Sequence, residues 1–531
     1  MKNLKSILAV LILLCLLVSC GKGVTADTDG DEEDVAKPTD TATQTEEAET
    51  EPLPWEVDGT VHINLSDEEI TVNGEAISTG NTSDVYTACD IVYYEAGHDF
   101  TYGEGSEKDA HTAEEADAHA VVHISAPGTY TLSGKLSAGQ IAIDLGEDAE
   151  EDPSAVVTLI LDGVDITNTV APAVIFYSVY ECGSSDAESA TKDVDTRTAG
   201  ANIIIADGSV NNISGSYVAR IYKPDSVVLS ADGSEVEEAK KLHKYDGAFY
   251  SKQSLNVNGG EVGNGVLNIT AENEGLDSEL HLTLNGGVVN ILSGNDGINT
   301  NEDNVSVTTV NGGTLTIRVT GETGEGDGID SNGWLVINAG TVIAQACAFS
   351  ADAGIDSDMG IHINGGVVIA TGSMLDRIED GGQNYAVFSF AEKYSGEVSL
   401  KNESGSAVTE TTVENSFTTL VISTPDLVAG TYTLWCGDIQ MQGAAGGSMM
   451  GGMDRPEGEP PEKPEGEPSQ GGEKPEGEPP AGERPEDVPP EGGKRPEGGM
   501  GGMDHSTGEM SAEFAITDGG NMFSRVCEAE I

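Results

Sequence analysis

The chain has 531 residues, 92 Asp plus Glu against 25 Lys plus Arg, and a formal net charge of −67. Such an excess of carboxylate repels nucleic acid and anionic lipid surfaces, which excludes both as partners. With 37% apolar residues it is not the composition of a disordered protein, and a single long repeat protein accommodates the length. At the N-terminus Lys2 and Lys5 precede an apolar run from Ile7 to Val18, too short to span a bilayer as a mature helix. Residues 20–57 are acidic, Thr-rich and without periodicity, so they predict a flexible tether. Alternation starts near Val61-His62-Ile63 and is interrupted by a polar stretch, 97–117, expected as a surface insertion. It returns in Thr129–Ser133, Gln140–Asp144 and Val157–Val164, all short β segments broken by Gly and Asp.

The apolar run ends in Leu17-Val18-Ser19-Cys20, which resembles the lipobox of bacterial lipoprotein signal peptides. That resemblance implies removal of residues 1–19, a diacylglycerol on Cys20, and placement on the extracellular face of the cell membrane. The other cysteines away from the leader, Cys89, Cys182, Cys347, Cys436 and Cys527, are odd in number and scattered. They form no disulfide framework and no zinc-binding spacing.

A repeat decides the expected architecture. Asn-Gly-Gly, once Asn-Ala-Gly, starts at Asn258, Asn285, Asn311, Asn338 and Asn364, at intervals of 27, 26, 27 and 26 residues. Apolar residues recur one and three places before the Asn, except at Thr308, and four places after it as Val262, Val289, Leu315, Val342 and Val368. Two-residue alternation either side of a Gly corner, at this period, predicts the stacked coils of an all-β, right-handed parallel β-helix. The regular coils run over about 246–373, within a domain of 58–440. Residues 441–510 are Gly/Met-rich with four Pro-Glu-Gly copies and are expected to be a disordered excursion. The apolar pattern resumes within 511–531, predicting a returning β segment of a C-terminal cap.

Each coil carries a second motif of acid, Gly, aliphatic, Asp/Asn, Ser/Thr. It reads Glu274-Gly275-Leu276-Asp277-Ser278, Asp296-Gly297-Ile298-Asn299-Thr300 and Asp327-Gly328-Ile329-Asp330-Ser331, then Ala353-Gly354-Ile355-Asp356-Ser357 without the first acid. The Gly is expected to permit a tight turn and the aliphatic residue to point inward. Stacking about 4.8 Å apart makes a column of Asp277, Asn299, Asp330 and Asp356, with Glu274, Asp296 and Asp327 beside it. Like charges at that spacing repel by roughly 3 to 4 kcal/mol at an effective dielectric near 20, unless they splay into water or hold cations. Hard oxygen donors suit Ca²⁺, so these seven residues are candidate ligands; a solvated acidic edge is the alternative.

His281 and Trp334 each lie four residues before an Asn-Gly corner, in the phase expected to face outward, and are candidate sugar-stacking rings or simply two surface residues. Arg318 is a candidate carbohydrate contact, a candidate base for a lyase, or a solvated cation. Carboxylates are too numerous for their abundance to indicate a glycosidase pair. The run Gly128–Gly134, Gly139-Gln140-Ile141, Leu161–Ile166 and the coils that follow are similar to a family of bacterial β-helix carbohydrate-binding proteins. The similarity extends over roughly 58–440 and the last twenty residues. It implies a calcium-loaded, non-catalytic binder of polysaccharide, acidic and pectin-like or cellulosic, resembling pectate lyases in shape; the chain itself is expected to be a monomer. Ala353 and Asn299 depart from the acidic pattern. A divergent lyase or hydrolase and a structural adhesin with a protein partner are the alternatives.

Overall fold

A computed structural model describes residues 59–446 and 508–529. The leader, Cys20, the acidic tether and the Pro-Glu-Gly tract therefore lie outside the described residues. What is described is all-β, with one five-residue helix, Ala113–Asp117, capped by Thr112 and Glu115. Among the described residues no helix is long and apolar enough to cross a membrane.

Three parallel ladders run through the middle of the chain. The first joins Ala201–Ile205, Leu255–Gly259, Leu282–Leu284, Val307–Val310, Trp334–Ile337 and Gly360–Ile363. Its register sets Leu255, Leu282, Thr308, Leu335 and Ile361 side by side, following the Asn-Gly-Gly period. Thr308, the polar exception, is fully buried, and its hydroxyl meets that of Thr300 at 3.1 Å. The second ladder joins Val210–Gly215, Val266–Ala271, Val288–Ser293, Thr314–Val319, Thr341–Gln345 and Val367–Gly372. Val289, Leu315, Val342 and Val368 are its fully buried rungs, but Val262 is not; it is 75% exposed in a turn. Leu267 takes its place opposite Val289, because residues 260–265 loop out of the ladder. The third ladder joins Val174–Ser178, Gly247–Ser251, Glu274–Ser278, Ile298–Thr300 and Ile329–Ser331.

Two glycine motifs do different work. In four copies the last residue of Asn-Gly-Gly or Asn-Ala-Gly has positive φ: Gly287 at 84°, Gly313 at 79°, Gly340 at 86° and Gly366 at 83°. A side chain is strained there, which is why Ala is tolerated at 339 but Gly is kept at 340. The glycine of the acidic motif is different, and the turn expected of it is corrected. Gly275, Gly297, Gly328 and Gly354 do not have positive φ; they lack room. A Cβ on Gly297 would stand 2.2 Å from Ile317 Cγ2, and one on Gly328 would stand 2.3 Å from the Gly354 carbonyl. Their role is close approach of backbone to core.

The corner asparagines stack as amides. Asn285 donates to Asn258 at 2.8 Å, Asn311 to Asn285 at 2.9 Å, Asn338 to Asn311 at 2.9 Å and Asn364 to Asn338 at 2.8 Å. Leucine, isoleucine and valine from all three ladders fill one continuous core, each fully buried side chain contributing about 1.5–3 kcal/mol. The parallel run stops where Val367–Gly372 pairs antiparallel with Ala407–Ser423. That strand, Tyr385–Asn402, Gly430–Cys436, Ile439–Ala445 and the returning strands Phe514–Ile516 and Gly520–Glu528 enclose a second core around Phe388, Phe417, Leu420 and Phe523.

Candidate functional site

The third ladder sets Tyr250, Asp277, Asn299 and Asp330 in one column, and an Ile329–Ile355 bridge brings Asp356 in after them. The aliphatic residue beside each, Leu276, Ile298, Ile329 and Ile355, is buried in the core. The candidate oxygens are not a solvated fringe. Asp277 is 0% exposed, Glu274 5%, and Asp296 and Asn299 8% each.

The flanking column is largely committed to structure. Asp296 Oδ1 accepts the Asp327 backbone N–H at 2.6 Å, and Asp327 Oδ1 accepts that of Ala353 at 2.6 Å. Each carboxylate thus satisfies the backbone donor at the same motif position of the next copy, a role the sequence motif did not disclose. Glu274 differs: its Oε1 accepts from Asn299 Nδ2 at 3.1 Å, and Asp277 Oδ1 accepts from Asn301 Nδ2 at 2.5 Å. The remaining oxygens of this group, Glu274 Oε2, Asp277 Oδ2 and Asn299 Oδ1, are buried and have no hydrogen-bond partner. An unpaired buried oxygen costs about 1–3 kcal/mol, more when charged, so three on one patch call for a donor or a cation.

Around this group lie Asp246, bound at 2.7 Å by the Arg220 guanidinium, and Glu279, which accepts from the Tyr250 hydroxyl at 3.0 Å. Burial first, then Asp277 and Asp246, pushes the Glu274 carboxyl well above its ordinary range. Burial, then Asp246 and Glu279, does the same to Asp277. Burial also raises Asp296, with Glu274 adding to it, and lifts Asp327 to about 9. Farther along the column burial raises Asp330 to about 6 and Asp356 to about 7, with Asp358 and Asp376 as the leading charged neighbours. Asp376 also accepts the Ser357 N–H at 3.1 Å. This end is more open, since Asp330 and Asp356 are only half-buried. Among the described residues no three His, Cys, Asp or Glu side chains are disposed as a metal cage. The buried set differs in kind: two carboxylates and an amide, all oxygen, the donor chemistry of a hard cation.

Asp246, Asn301, Glu279, Asp358 and Asp376 were not read as site residues. Asn301 was within reach two places after Asn299, as were Glu279 and Asp358, each directly following a copy of the motif, and Asp246, which opens a looser copy at Asp246-Gly247; Asp376 comes from a segment whose return to the column has no sequence signal.

The ring platform is corrected. His281 is 2% exposed, its Nδ1 accepts from the Val307 N–H at 3.1 Å, and burial holds its pKa down at about 4. The segment 179–200 covers it: a Cβ on Gly183 would stand 2.7 Å from His281 Nε2. Glu181 pins that segment through the Ser254 N–H and hydroxyl, at 2.7 and 2.8 Å. Trp334, in register with Val307, stays half-buried, so no paired platform forms. Arg318 faces outward on the second ladder and pairs with Glu414 of the cap at 3.2 Å. A cleft of about 440 Å³ in the cap, lined by Phe390, Tyr394, Cys436 and Met441, includes none of the candidate residues.

A family model described as carbohydrate-binding domain-containing protein matches residues 118–443, more than half of the chain and all ten candidate metal and sugar residues. The chain belongs to that family. A carbohydrate-binding domain-containing protein of Acetivibrio thermocellus is 28% identical to it over 171 residues, 32% of this chain. The alignment spans 44% of that relative's length. Among solved structures, a polysaccharide lyase-like protein from C. thermocellum aligns with 60% of this chain and 89% of its own, at 18% identity and a TM-score of 0.32. The carbohydrate-binding domain thus contains the acid column whole.

Proposed function

We propose that this carbohydrate-binding domain is a calcium-loaded, non-catalytic polysaccharide binder on a right-handed parallel β-helix. It is tethered through a lipid on Cys20 to the outer face of the cell membrane. The observation that carries the calcium reading is the trio of buried, unpartnered oxygens on Glu274, Asp277 and Asn299. Bound there, calcium supplies positive charge to carboxylates that burial otherwise forces to keep their protons. Because Asp277 is wholly enclosed, this inner group braces neighbouring strands and does not itself reach a ligand. The open end of the same column, Asp330 and Asp356 with Asp358 and Asp376, is where a second cation would bridge to a uronate carboxylate. A chain of net charge −67 needs such a bridge to hold an acidic glycan.

Support for a binder over a lyase comes from Arg318, whose guanidinium is engaged by Glu414 and stands on a different ladder from the acid column. The family and the three ladders, each with strands in parallel register, support the glycan and β-helix readings. The test is retention on immobilised polygalacturonate with and without chelator, monitored at the same time for unsaturated product. Calcium-dependent retention without product is the expected result. Ultraviolet-absorbing product would turn the reading to a lyase, and no retention in either condition would end it.

A further inference from the structure

Charge is sorted by position within each repeat. The stretches 281–295, 304–321, 331–351 and 359–375 contain no Asp or Glu, in a chain that has 92 of them. The acids fall instead in 274–279, 296–303, 322–330 and 352–358, which contain or adjoin the acid column. The acid-free stretches hold the later strands of the first and second ladders. On the first ladder the segment 179–200 covers the outward residues, through Thr196 on Asn256 and Thr283. On the second ladder the outward residues are open.

The first four strands of that second ladder alternate strictly, buried residues inward and half-buried or exposed residues outward, and the fifth does so up to Ala344. One outward row is Asn212, Asn268, Asn290, Thr316 and Ile343; beside it run Val266, Val288, Thr314 and Thr341. Asn290 donates to Asn268 at 2.9 Å and Asn268 to Asn212 at 3.0 Å, so the amides are fixed in a column. Each amide keeps a second N–H for a ligand. The hydroxyls of Thr314, Thr316 and Thr341 have no side-chain hydrogen bond among the described residues. Five strands span roughly 19 Å at the usual strand spacing. The face ends at the Lys135–Asp165 pair on one side and at the Arg318–Glu414 pair on the other.

We infer that this flat, carboxylate-free face docks an uncharged, extended polysaccharide, separately from any acidic glycan bridged at the acid column. Fixed amides and free hydroxyls at strand spacing suit the hydroxyls of a neutral sugar chain. The methyl groups of Val266, Val288 and the threonines suit its C–H faces. A neutral chain meets no repulsion from the surrounding acids, and with no carboxylate on the face it needs no cation. The inference rests on the polysaccharide-binding reading and gives its uncharged, cellulosic side a surface of its own.

The test uses the mature chain with Thr316→Glu and the conservative Thr316→Ser, both at an outward strand position where the fold is retained. Binding to an insoluble uncharged β-glucan is measured with chelator present, beside calcium-dependent binding to polygalacturonate and sedimentation velocity. The wild type is expected to bind the neutral glucan in chelator. Thr316→Glu lowers that binding by about tenfold or more, as for a charge desolvated under a ligand. Thr316→Ser retains it, and neither variant alters the calcium-dependent arm. Wild-type failure to bind the neutral glucan, loss of its binding in chelator, or full binding by Thr316→Glu overturns the inference. So does a wild-type dimer that Thr316→Glu splits, since the face would then belong to a second copy. Loss of the polygalacturonate arm alone defeats the calcium-bridging reading and leaves this one standing.

Discussion

On the third ladder the repeats stack oxygen, buried at Asp277 and more open at Asp356; on the second they display amide, hydroxyl and methyl groups and no carboxylate. Both surfaces come from the same succession of stacked coils and share one apolar core, so their difference is chemical rather than architectural. Along the third ladder itself the outward column changes character, from Ala142 and Ile175 packed beneath insertions to Tyr250 and then to Asp277, Asn299 and Asp330. The period fixes where a side chain points, and the residue type then decides whether the position is packed, charged or offered to a ligand. Neighbouring strands amplify either choice, because like groups are brought within about 5 Å of each other.

Several changes would break or sharpen this contrast. The largest effect is expected from Gly297→Val, which drives a side chain against Ile317 and the Gly328 carbonyl and so pries the two ladders apart. It should cost about 3 kcal/mol or more, seen as loss of cooperative unfolding or a steep fall in the denaturant midpoint.

Next comes pH without calcium. Carboxyls whose folded-state pKa lies above the unfolded value, Asp356 at about 7 and Asp327 at about 9, hold their protons when folded and lose them on unfolding. Chelated protein should therefore lose stability as pH rises from about 4 towards 9. Added calcium should flatten or reverse that slope, while a calcium-independent slope would mean the acids are simply tolerated. Differential scanning calorimetry across that pH range decides it.

Asp277→Asn is a smaller and more pointed change, because the Asn301 hydrogen bond to position 277 can persist while the charge is removed. Above pH 7 it should stabilise chelated protein by about 1 kcal/mol or more, yet weaken calcium binding at least about tenfold. Least of all, Asn311→Ala interrupts the exposed amide stack between Asn285 and Asn338 and should cost about 1 kcal/mol. Its effect should be the same with calcium and with chelator, since it stands away from the acid column.

Much of the ladder geometry was legible in the residues. The interval between Asn-Gly-Gly motifs gave the register of Leu255, Leu282, Thr308, Leu335 and Ile361, and the acidic motif gave the column of Asp277, Asn299, Asp330 and Asp356. Val262 misled because the loop 260–265 delays the strand, and an apolar residue four places past an Asn fits a rung whether or not the chain loops. His281 misled because its exposure depends on the distant segment 179–200, which no local pattern connects to it. The division of labour among the acids was also hidden. Asp296 and Asp327 cap backbone donors while Glu274 leaves an oxygen free, although all three occupy the first place of the same motif. The split depends on which neighbour stands one strand away.

The most direct measurement is a calorimetric titration of calcium into the chelator-stripped protein at pH 8, beside the double variant Glu274→Gln/Asp277→Asn. Saturable binding with at least one site per chain, removed in the double variant while its cooperative unfolding is kept, is the result expected of buried oxygens waiting for a cation. Equal heats from the two proteins, or none from the wild type, would mean that these oxygens are satisfied by protons and that the acid column holds no metal.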